Sequence, residues 1–286
     1  MDTDERLLYE SRVRTRQAVI AALAAILLLA AAVIQISGPH TKVDELTLDL
    51  IYAHKRFPLD LIGAVINGLG LAAVAVTLGW LFGAIRARNP DVGFYIKWLA
   101  VAGGAIAAIV AVAYAVVIAI KSDDFVTQGS QTYQEAKHIT SSSLLVAVPL
   151  IGQLASLMLA IGFVLTSLGA LRVGLLTKFM GYLGIFVGVL VLFPIGTPVP
   201  VVQAFWLLAF AYLLSGRWPT GVPPSWRSGR AEPWPSAASM REQRVKGPGR
   251  GGRAKPVATP APETVGAPAP TRSRAATAKR KRKRRT

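Results

Sequence analysis

Cysteine is missing altogether from the 286 residues, which excludes a disulfide framework, a thiolate metal site and a cysteine nucleophile. Histidine is almost as scarce, with three residues, and His40, His54 and His138 all lie between long apolar stretches rather than inside them. Charge of either sign is missing from the centres of those stretches. Pumps and ion-coupled carriers place a titratable or charged side chain at mid-membrane despite the expense of burying it, so this absence argues against ion-coupled transport. No HExxH, GxSxG or paired carboxylate falls within an apolar stretch either. Hydrolytic and metal-assisted chemistry therefore lack their residues, and neither an enzymatic activity nor a cofactor is expected.

What the chain has in abundance is hydrophobic length. A hydrophobic content of 52% and mean hydropathy of +0.45 exceed what a soluble domain spends on one buried face per element. Six apolar stretches account for it: Ala18 to Ile36, Leu61 to Ile85, Trp98 to Ile120, Leu144 to Leu171, Phe179 to Phe193 and Val201 to Leu214. The first four match or exceed the roughly 20 residues an α-helix needs to cross about 30 Å of hydrocarbon. The fifth is short unless it begins near Val173 with Lys178 snorkelling, and the sixth is shorter still. The expected fold is all-α, a polytopic bundle of six transmembrane helices over residues 18–214. A cytoplasmic N-terminal segment, 1–17, precedes it and a disordered basic tail, 215–286, follows. Arg6, Arg12, Arg14 and Arg16 ahead of the first stretch also fit a signal peptide, but that stretch is longer than an h-region and no A-x-A site follows it.

Lys/Arg counts in short loops set the orientation. With the N-terminus inside, the inner segments carry twelve, including Arg86, Arg88, Lys97, Arg172 and Lys178, and the outer loops carry five: Lys42, Lys55, Arg56, Lys121 and Lys137. Both termini are then cytoplasmic. The run from Pro194 to Pro200 joins the last two stretches either outside the membrane or as the tip of a re-entrant hairpin. Two spans are favoured, because an interfacial loop satisfies its backbone groups with water.

Polar side chains within the stretches are amides, hydroxyls and phenols: Asn67, Thr77, Tyr114, Gln153, Ser156, Tyr182 and Gln203. Asn67 and Gln153 are the candidate intramembrane polar site, either lining a pathway or hydrogen-bonding between helices. Asp60, at the mouth of the second span, suits a helix N-terminus. Gly184 and Gly188 form a GxxxG and are the candidate helix-packing face, within the chain or in a dimer. In the first outer loop Val43, Leu46, Leu50 and Ile51 recur at helical spacing, as in a short amphipathic helix on the membrane or capping the bundle. The second, Lys121 to Ser142, shows no hydrophobic pattern, and a helix starts near Ser141 to Ser143. The three histidines share these loops with several carboxylates, yet no pair has ligand spacing on one element, and no metal is expected.

Residues 215–286 hold 18 Lys/Arg against three Asp/Glu, so most of the net charge of +17 belongs to the tail. Trp218, Trp226 and Trp234 match anchors at the inner headgroup layer. Beyond Pro235 almost no large apolar residue remains to offset ordering entropy. The terminal block Lys279, Arg280, Lys281, Arg282, Lys283, Arg284 and Arg285 is a candidate contact for anionic phospholipid headgroups. Nucleic acid is a weaker match, because no aromatic is interleaved with the block.

The stretch from Arg172-Val173-Gly174-Leu175-Leu176-Thr177-Lys178-Phe179-Met180-Gly181 through Gly216-Arg217-Trp218-Pro219 and Pro223-Pro224-Ser225-Trp226 resembles uncharacterised multi-spanning membrane proteins of high-GC Gram-positive bacteria, and the spacing of spans is more distantly similar to DUF4386-type hypothetical membrane proteins. The resemblance implies a bacterial plasma-membrane location and brings no activity with it. The residues themselves favour a structural or interaction protein whose basic tail contacts anionic lipid or a cytoplasmic partner. The alternative is a transporter or pore for a small neutral or amphiphilic solute.

Overall fold

The computed structural model describes residues 3–37, 45–192, 200–219 and 221–232, all within one compact unit, Met1–Pro235. Val43, His40, the Pro194–Pro200 connection apart from Pro200, and the part of the tail beyond Glu232, with Trp234 and the block Lys279–Arg285, lie outside them. The architecture is all-helical. In chain order the helices are α1 (Thr3–Ile36), α2 (Leu46–Arg56), α3 (Leu59–Arg86), α4 (Tyr95–Thr127), α5 (Tyr133–Thr140), α6 (Ser143–Arg172), α7 (Lys178–Leu192), α8 (Val201–Leu214) and α9 (Pro224–Ser228).

Four helices, α1, α3, α4 and α6, are long and apolar enough to cross a membrane. With 33 residues, α4 reaches about 50 Å, so its final turns, with Lys121, Asp123 and Asp124, extend past any hydrocarbon layer. The apolar α7 and α8 have 15 and 14 residues, or just over 20 Å each, short of a full crossing. Their shortness has a visible cause at the start of α7. Gly174 adopts φ +78° and ends α6, and Thr177 Oγ1 accepts a hydrogen bond from Met180 N at 3.3 Å, capping the first turn of α7. Residues 173–177 are therefore a buried turn, and α7 begins at Lys178 instead of near Val173.

The long helices pack side by side in the order α1, α3, α4, α6, with α7 against α6, and α8 packed on α7 and on α1 to close the bundle. Lipid tails are as apolar as leucine, so association inside a membrane depends on close contact more than on exclusion from water. Small residues supply it. Ala21, Ala24 and Ala25 of α1 are fully buried. A methyl group on Gly103 would stand 2.5 Å from Leu159 N, and one on Gly162 the same distance from Ala100 N, so α4 and α6 meet backbone to backbone. Trp206 of α8 fills the remaining centre. It stacks on Phe210 at 5.2 Å, meets Phe163 edge-on at 4.8 Å and donates Nε1–H to Met180 O at 2.9 Å.

The two ends of the bundle differ. At one, α2 lies over the long helices and buries Leu50 with Phe125 and Ala136 in a satellite core flanked by Leu46, Ile51 and Ile139. The amphipathic helix expected from Leu46, Leu50 and Ile51 is thus a cap on the bundle. The second loop is more ordered than its sequence suggests: α4 continues to Thr127, and α5 follows, opened by Thr132, whose hydroxyl accepts from Glu135 N. At the other end lie α1's first turns, the α3–α4 and α6–α7 connections, and the segment after α8.

Candidate functional site

The end carrying α2 holds a cavity of about 690 Å³. It exists because several helices turn small side chains toward the same space. Ala31 and Ala32 come from α1, Gly63 and Ala64 from α3, and Ala111, Ala115 and Ala119 from α4. On α3 the spacing Asp60, Gly63, Ala64, Asn67 and Leu71 marks a single helical face. Its polar members run from mouth to depth, Asp60 first and Asn67 two turns below.

Arg56 sits at the mouth. Its Nε donates to Asp60 Oδ1 at 2.8 Å, and Nη2 donates to Ile34 O and Gln35 O at 3.2 and 3.1 Å. One guanidinium thereby satisfies the last carbonyls of α1, which a helix cannot bond itself, and pairs with the first-turn carboxylate of α3. The cation is held by the fold, and Asp49 of α2 adds a second carboxylate to the lining. Deeper in, Asn67, Tyr114 and Gln203 face the space. Gln203 Nε2 is buried and has no hydrogen-bond partner among the described residues, an arrangement that costs free energy until something fills it.

The cavity stops at Leu28 and Leu71. Past them, Val74, Leu78, Leu81, Phe82 and Ile85 of α3 are packed shut. The far end is sealed a second time by Arg88. Its five N–H donors make five bonds: to both carboxylate oxygens of Glu10 at 2.9 and 2.7 Å, to Ala84 O at 2.9 Å, and to Ser225 O twice, at 3.1 and 3.0 Å. The guanidinium also stands 5.0 Å from the ring centroid of Trp226, which stacks on Trp80 at 5.5 Å and donates Nε1–H to Leu175 O at 3.0 Å. Trp226, expected at the headgroup layer, is instead 6% exposed within this end of the core.

The candidate polar residues part company. Asn67 lies in the cavity with Tyr114 and Gln203, while Gln153 is exposed on α6, which contributes nothing to the lining. Thr77 is spent on Ala73 O, at 2.8 Å, and Tyr182 is exposed on α7. Gly184 and Gly188 face inward: methyl groups there would strike Ser167, Trp206 and Val164 of the same chain. His54 Nδ1 stands 3.3 Å from Asp123 Oδ1, and among the described residues no group of three or more potential ligands is placed to hold a metal. The sequence reading passed over Gln35, Asp49, Tyr52 and Arg56 as lining residues. The available signal was the Arg56/Asp60 pair, four residues apart across Pro58. No family model, curated protein or solved structure matches the chain.

Proposed function

We propose that this is a membrane protein of six membrane helices, of which α7 and α8 are shorter than a full crossing, with both termini in the cytoplasm, and that it admits a small amphiphilic solute from the outer side into the cavity beneath α2. The carrying observation is the cavity itself. Its volume lies within the roughly 300–1,000 Å³ usual for small-molecule sites, alanines and Gly63 line much of it, and polar side chains from α1, α2, α3, α4 and α8 face it, with Gln203 Nε2 unpartnered among the described residues. An apolar body would lie against the small-residue faces of α1 and α4. A hydrogen-bonding group would meet Asn67, Tyr114 and Gln203. Closure below Leu28 and Leu71 corresponds to the outward-open state of a transporter, or to a binding protein that never opens inward.

The absence of cysteine makes the test direct. Asn67→Cys in oriented vesicles is expected to react with a membrane-impermeant maleimide added to the outer side, and to be protected by a bound solute. Labelling from the inner side alone, or none from either, would overturn the reading. A second reading, an interaction protein acting through its basic tail, draws support from the clamped segment after α8. Glu232 N donates to Val173 O at 3.1 Å, so the chain leaves the bundle from a fixed point.

A further inference from the structure

The outer surface of α6 changes character along its length. Its second half is covered, with Leu159, Ala160, Phe163, Thr166 and Ser167 buried. Its first half buries only Leu145 and Ala155, and Val146, Leu150, Ile151 and Leu154 are all exposed. Gln153 is exposed among them, about 15 Å along the helix from Ser143 and so near the middle of a hydrocarbon layer of about 30 Å. Its side chain makes no hydrogen bond to any described residue, and lipid tails offer none.

Val146, Leu150, Gln153 and Leu157 recur at intervals of four, three and four residues. That is the spacing of a two-helix seam, in which one polar residue among apolar ones sets partner and register. The seam has no partner among the described residues. An amide carries both donor and acceptor, so it is satisfied by an identical amide across a two-fold axis, which a lone carboxylate or ammonium is not. Copies inserted with the same topology run parallel, placing that axis along the membrane normal and bringing each Gln153 to its counterpart. We infer that the protein forms a homodimer in the membrane through the first half of α6, with the two Gln153 amides hydrogen-bonded at its centre. The inference is independent of the solute reading, since no α6 residue lines the cavity.

The experiment is oxidative cross-linking of the full chain in membranes, where any introduced cysteine is the only one. Leu150→Cys is expected to form a disulfide-linked dimer, whereas Tyr182→Cys, equally exposed on α7, stays monomeric. Adding Gln153→Leu should abolish most of the cross-link and raise the dimer dissociation constant in liposomes roughly ten-fold, while Gln153→Asn retains it in large part. Gln153 is exposed on the single chain and bonds to none of its described residues, so the leucine leaves the fold of each copy intact, which an unchanged thermal unfolding temperature would verify. No cross-link at Leu150→Cys, equal cross-linking at Tyr182→Cys, or indifference to Gln153→Leu would each overturn the proposal.

Discussion

Gly162 shows how finely the bundle depends on a missing methyl group. Its added Cβ would fall 2.5 Å from Ala100 N and 2.6 Å from Ala100 Cα, and backbone cannot swing aside as a side chain can. Gly162→Ala must push α4 from α6, and overpacking of this kind costs about 1–3 kcal/mol. Gly83 is the contrast, with nothing within 4 Å of the same position. Gly83→Ala is expected to be neutral or to stabilise by up to about 1 kcal/mol, the helix-propensity difference. Thermal unfolding of the two variants side by side separates them, and equal effects would show that the α4–α6 contact is looser than the structure has it. Arg88 makes the complementary case for charge. Arg88→Met leaves the Glu10 carboxylate buried without its partner, an uncompensated charge that costs about 3–5 kcal/mol. Adding Glu10→Leu should recover most of that loss, because replacing both members of a buried pair by apolar groups is often neutral. Failure of the double variant to recover would mean that the bonds to Ser225 O and Ala84 O matter more than the ion pair.

At the scale of elements, hydropathy identifies α1, α3, α4 and α6 because a bilayer demands one long uncharged run per crossing, and that demand is written locally. What depends on distant partners is written nowhere locally. The eight residues of α5 are too few to show a period, and only Ala136 and Ile139 reach the satellite core. Trp226 has the neighbours of an interfacial tryptophan; its burial is decided by Arg88, whose bonds to Ser225 reach across 137 residues of chain. The cavity was legible in part. Asp60 and Asn67 are seven residues apart on one face of α3, but its emptiness comes from alanines on α1 and α4, which look in sequence like any membrane helix. Gln153 and Asn67 look alike in sequence and face opposite surroundings, because rotation about a helix axis is set by packing. Trp226→Ala tests the element it anchors. Loss of the Trp80 stack and of the bond to Leu175 should free residues 221–232, seen as faster protease cleavage there while α1–α8 stay resistant. Cleavage no faster than in the parent would show that Arg88 holds the segment alone.

For the whole molecule, the boundary of the compact unit at Pro235 makes two truncations informative in different ways. Ending the chain at Pro235 keeps every contact of Trp226 and Glu232, so the unfolding temperature should match that of the full chain. Ending it at Gly216 removes Ser225 and Trp226, opens the Arg88 end of the core, and should lower the unfolding temperature by several degrees. The first truncation also isolates the tail. Its terminal block of seven consecutive Lys/Arg would gain roughly 1 kcal/mol for each charge held at an anionic surface, and the attraction should weaken as salt shortens the Debye length from about 10 Å at 0.1 M to 3 Å at 1 M. Full-length protein in nanodiscs of neutral lipid should therefore capture vesicles containing phosphatidylglycerol at low salt and release them at high salt, while the chain ending at Pro235 captures none. Capture that survives the truncation would move the lipid contact to the inner loops of the bundle. Capture by neither chain would leave the cavity beneath α2 as the part of the molecule to which function must be assigned.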